Sequence, residues 1–157
     1  MVEQKQMKAE TFEQLVDWTS GLHKHLAESL EQGEIQAQGE KAQWLLHYLA
    51  EHERTLTDVV QRMKEKADPK ALNTWLYEHL SEKMPPANGR QLSFSNMDFE
   101  EISAQIFEIH NQLIELYRSM SGRAPTPEIR ELMEELLDLE EHETLRLAGQ
   151  VDSVRGM

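Results

Sequence analysis

Four long stretches of this chain repeat apolar residues every third or fourth position, and each is set off by glycine or proline. That spacing matches the turn of an α-helix, and no stretch alternates as a half-buried strand would. The first runs from about Lys8 to Gln32, carries Phe12, Leu15, Leu22, Leu26 and Leu30 on one face, and is predicted to stop at Gly33, a natural C-terminal cap. The second, from about Glu40 to Lys66, aligns Leu45, Leu49, His52, Leu56, Val59 and Met63. A short helix is predicted from Pro69 to Lys83, with Asp68 as N-cap, before Met84 to Gly89 breaks the chain. The fourth stretch, from about Asp98 to Ser121, carries Phe99, Ile102, Ile106, Ile109, Leu113, Leu116 and Met120. The last runs from Pro127 to about Val154, with Thr126 as its cap.

Short turns at Gly33 and between Gly122 and Thr126 join antiparallel neighbours, whereas the middle connection is long. Short, long, short is the connectivity of an all-α, antiparallel four-helix bundle with a crossover carrying a short extra helix. At 157 residues the chain fits a single domain, residues 1–157, around one core.

Sixteen Lys and Arg against 29 Asp and Glu give a formal charge of −13. That balance argues against binding nucleic acid or an anionic membrane, and it draws cations. No run approaches the roughly 20 apolar residues of a membrane span, and the polar start, Met1 to Glu10, does not read as a secretory signal. The absence of cysteine fits a reducing cytoplasm and excludes thiolate metal sites, iron–sulfur clusters and cysteine nucleophiles.

The polar residues on the apolar stripes carry the functional signal. The chain has seven histidines, and two lie in a repeated phrase, Leu49-Ala-Glu-His-Glu53 and Leu139-Glu-Glu-His-Glu143. On a helical wheel His52 and His110 face inward with Glu140 and Glu143, and His23, with Thr19 near it, falls at the same level. His142 falls off the stripe. A buried carboxylate without a partner takes up a proton or costs several kcal/mol. Compensation comes either from a divalent metal held by His52, His110, Glu140, Glu143 and His23, or from direct His–Glu pairing in a metal-free polar layer that sets helix register. Imidazole with carboxylate suits iron, manganese or zinc.

In this layout and in its acidic-His phrases the chain resembles the ferritin-like superfamily, especially the rubrerythrin-like and bacterioferritin-like bundles. The resemblance implies a metal site at mid-bundle and work in metal handling or oxidative-stress chemistry; if the chain is an enzyme, the metal is expected to activate oxygen or peroxide, with Tyr48 or Tyr117 beside it. The family's Glu-x-x-His motifs are incomplete here: with His52 and His142 matched, their glutamates fall on Leu49 and Leu139. A shift of one residue gives Glu140-x-x-Glu143 on the last helix but Ala50-x-x-Glu53 on the second. A hemerythrin-like bundle is set aside, because His47 and Glu51 lie off the stripe and His79 and His110 lack that family's partners.

No Gly-rich phosphate loop or nucleophile elbow is present. Trp18 and Trp44 sit on stripe flanks, where a homodimer would form if they are not core. The contrasting expectation is a metal-free structural or interaction protein that dimerises or binds a protein partner. No small-molecule substrate is legible.

Overall fold

The computed structural model describes residues 10–37, 39–76 and 93–156. Among these residues the chain is all-α: α1 (Phe12–Gln36), α2 (Glu40–Lys66), a single turn α3 (Pro69–Leu72), α4 (Phe99–Gly122) and α5 (Pro127–Arg155). The helix starts follow from capping. Thr11, Asp98 and Thr126 each accept a backbone N–H three residues on, and Asp98 with Glu101 forms a reciprocal capping box. These side chains satisfy N–H groups that the first turn leaves free.

α1 packs along α2 and α4 along α5, and their apolar stripes form one core that includes Leu15, Leu26, Leu45, Leu49, Ile102, Leu113, Leu136 and Leu147. The chain after α3 returns to the start of α1. Phe12 N–H donates to the Thr74 carbonyl (3.1 Å) and Leu76 N–H to that of Glu10 (2.9 Å), which fastens the segment after α3 to the start of α1.

Three sequence expectations change. Gly33 does not end α1, which continues to Gln36 and is capped at Ala37. Gly33 instead lies against Phe94, where an added Cβ would stand 2.9 Å from the Phe94 Cβ. The helix after Pro69 stops at Leu72 among the described residues, and the predicted extension to Lys83 and the break at Met84–Gly89 otherwise lie outside them. Trp18 is 1% exposed and belongs to the core, not to a free flank, while Trp44 is 42% exposed.

Candidate metal centre

Each long helix places one ionisable side chain at the same level of the core: His23 from α1, Glu53 from α2, His110 from α4 and Glu140 from α5. All four are fully buried. They close a ring in which imidazole and carboxylate alternate. His23 bonds Glu53 through Nδ1 (2.5 Å) and Glu140 through Nε2 (2.6 Å). His110 bonds Glu140 through Nδ1 (3.0 Å) and Glu53 through Nε2 (2.6 Å). Every ring nitrogen and every carboxylate oxygen of the quartet thus has a partner.

The ring is ionic. Burial acts most strongly on His23 and disfavours its charged form, but the carboxylates of Glu140 and Glu53 outweigh it and push the imidazole up to about 9. Burial likewise opposes charge on His110, and the same carboxylates push it up to about 10. Burial would raise Glu53 and Glu140, yet the two imidazolium ions hold Glu53 well below the usual carboxylate range and bring Glu140 to about 2. Two cations and two anions leave the buried layer neutral overall, which is what makes their joint burial tolerable.

The layer has further polar neighbours. Thr19 donates to the Leu15 carbonyl (3.1 Å), so its oxygen accepts from the buried Tyr117 hydroxyl. Burial, then the nearby charge of Glu140, raises the Tyr117 phenol well above its ordinary value. Beside the quartet, His52 Nδ1 lies 3.7 Å from Glu143, and the His52 ring stands edge-on to His110 at 6.3 Å. His52 Nε2 is buried and has no hydrogen-bond partner. Burial is the largest influence on His52 and keeps its imidazole below its ordinary value.

Of the residues the sequence singles out, the structure brings His23, His110 and Glu140 into the quartet. His52 and Glu143 form a partly buried pair next to it. His142 is exposed, as are His47 and Glu51.

The residue that sequence reasoning missed is Glu53. A wheel centred on His52 turned the α2 stripe by one residue. The buried residues of α2 are Ala42, Leu45, Leu46, Leu49, Ala50, Glu53, Leu56 and Val60; among them Ala42, Leu46, Leu49, Glu53, Leu56 and Val60 alternate by four and three through Glu53, with His52 on their flank. A second signal was available. His23 and Glu53 are 30 residues apart, and so are His110 and Glu140. The whole architecture repeats at an offset of 87 residues: Phe12 to Phe99 and Glu40 to Pro127 at helix starts, His23 to His110, Glu53 to Glu140. The eye-catching phrases Leu49–Glu53 and Leu139–Glu143 match only at a longer offset, three residues out of step with this repeat.

No protein-family model, no curated protein and no solved structure matches this chain.

Proposed function

We propose that the chain is a divalent-metal-binding four-helix bundle of ferritin-like layout, with His23, Glu53, His110 and Glu140 as ligands. The observation that carries this reading is the quartet: two imidazoles and two carboxylates, one from each long helix, fully buried, with donor atoms of His23, Glu53 and His110 within 4.8 Å of one another. Facing helices build metal sites in this way.

Two physical tests favour the fit. One is charge. A divalent ion that displaces the two imidazolium protons leaves the buried layer neutral, so the exchange leaves no uncompensated charge in the core. The other is size. A tetrahedral set at about 2.0–2.1 Å needs donors about 3.3 Å apart, and one donor atom each from His23, Glu53 and His110 already lies within 4.8 Å of the others, with Glu140 hydrogen-bonded to both histidines. The donor set lacks thiolate and suits iron, manganese or zinc. A redox-active ion would supply one-electron chemistry beside Tyr117, in line with the metal-handling or oxidative-stress role that the resemblance implies. The acidic exterior draws cations, and a cysteine-free chain suits a reducing compartment such as the cytoplasm.

Plasma mass spectrometry on untagged protein prepared without chelator should find near-stoichiometric iron, manganese or zinc, and Glu53→Ala/Glu140→Ala should lose it. A wild-type chain that stays metal-free after anaerobic incubation with each ion sinks this reading.

A second reading draws on the closure of the ring. Because the quartet satisfies itself, it can serve as a metal-free polar layer that fixes helix register. The molecule would then be a structural or interaction protein, with exposed Trp44, Trp75 and Leu145 offering apolar contacts to a second copy or another protein.

A further inference from the structure

The 87-residue repeat gives each quartet glutamate an equivalent setting, and two polar pairs break the equivalence: Thr19 and Tyr117, whose counterparts are Ile106 and Leu30, are fully buried, whereas the pair beside Glu53 reaches the edge of the core. His52, beside Glu53, corresponds to Leu139, beside Glu140, and Glu143 corresponds to Leu56. Leu56 is buried and Leu139 packs partly buried against the core, so leucine occupies both equivalent positions. The other pair carries an imidazole and a carboxylate, 9% and 19% exposed. An unpartnered buried nitrogen such as His52 Nε2 weighs against stability. The leucines at the equivalent positions show that an apolar closure suits the same frame. The polar pair is therefore not what packing alone would select.

Its placement shows what it can do. The quartet is sealed, and a divalent ion cannot shed its water into an apolar core without replacement ligands. Glu143 is the more exposed member, His52 Nδ1 faces it, and the His52 ring borders His110 of the quartet. Tyr48 stacks on His52 with ring centres 6.5 Å apart, and Trp44 stacks on Tyr48 at 5.3 Å, so the imidazole is held in place at the edge of the core. Carboxylate, imidazole and quartet then form successive oxygen and nitrogen stations leading inward.

We propose that His52 and Glu143 are a transit site that passes a divalent cation between solvent and the quartet. This rests on the metal-binding reading above.

Cobalt(II) is the probe, with loading followed by stopped-flow visible absorbance and release followed after addition of a chelator. The variant is His52→Leu/Glu143→Leu, which copies the leucine closure. Its stoichiometry and equilibrium affinity should stay within about twofold of wild type, while loading and release both slow by about tenfold or more, since a barrier changes both rates alike. Unchanged rates overturn the proposal. Lost stoichiometry also overturns it, because the pair would then be permanent ligands. Should the leucine variant fail to fold, His52→Gln/Glu143→Gln meets the same criteria. A wild-type chain that takes up no cobalt brings down the metal reading itself, an outcome distinct from uptake at unaltered rates.

Discussion

Glu53 accepts from His110 through one oxygen and from His23 through the other, with no solvent contact. Truncating it leaves two buried imidazoles sharing one carboxylate, so Glu53→Ala should destabilise the metal-free protein by about 3–5 kcal/mol in urea unfolding. Replacing all four quartet residues by leucine removes every charge together and should be neutral or stabilising by about 1–4 kcal/mol. A quadruple variant as unstable as Glu53→Ala would mean that the layer is itself a stabilising device. The same groups set the pH dependence of the metal-free fold. His23 and His110 have raised folded values, so their contribution is complete below 6.5 and drains away as pH climbs through about 9 and about 10. Glu53 and Glu140 have lowered folded values, so theirs is complete above 4.5 and disappears as pH falls toward about 2 and beyond. His52, lowered by burial, acts the opposite way to the other histidines and trims stability below 6.5. Thermal melts should therefore peak in mildly acidic buffer and fall steadily from neutral to alkaline pH, and a melting temperature still rising between pH 7 and 9 would contradict an ionic quartet. At this scale the sequence was half legible. His23, His110 and Glu140 could be found because each interrupts an apolar stripe, and Glu53 interrupts one equally well. It escaped because the neighbouring His52 drew the stripe toward itself.

Among the elements, helix beginnings were readable and helix ends less so. Thr126-Pro127 and Asp98 with Glu101 state their capping chemistry in the sequence, and the starts of α4 and α5 follow. Gly33 states only freedom, and glycine serves two purposes: ending a helix in a left-handed conformation, or admitting a close neighbour. Here it admits Phe94, which arrives from a segment far along the chain and so leaves no local trace. Two glycines of α1 separate these roles experimentally. Gly21 has open space around its would-be Cβ, so Gly21→Ala should gain about 0.8–1.0 kcal/mol from helix propensity. Gly33→Ala drives a methyl to 2.9 Å from the Phe94 Cβ, an atom fixed to the backbone, and should lose about 1–3 kcal/mol despite the same propensity gain. Chemical denaturation of the two variants tests this, and a stabilised Gly33→Ala would mean that the segment around Phe94 yields easily.

Across the whole molecule, the repeat makes α1–α2 and α4–α5 equivalent hairpins, each supplying one histidine and one glutamate. Two bonds of the ring lie within a hairpin, His23 to Glu53 and His110 to Glu140. The other two, His23 to Glu140 and His110 to Glu53, cross between hairpins. The quartet therefore joins the halves of the fold, and anything that exchanges with its protons acts at the junction. Protons and a divalent ion compete for the same imidazole nitrogens, and both imidazoles are protonated at neutral pH because their values lie at about 9 and about 10. The glutamates are already ionised, so they release nothing on binding. Each ion bound near pH 7 should thus expel about two protons, and affinity should rise by about a hundredfold per pH unit until the first histidine titrates. Zinc titration calorimetry in buffers of differing ionisation enthalpy measures the proton count. Release of about two protons identifies exchange within the ionic ring, whereas binding without proton release places the ion elsewhere, on the acidic exterior.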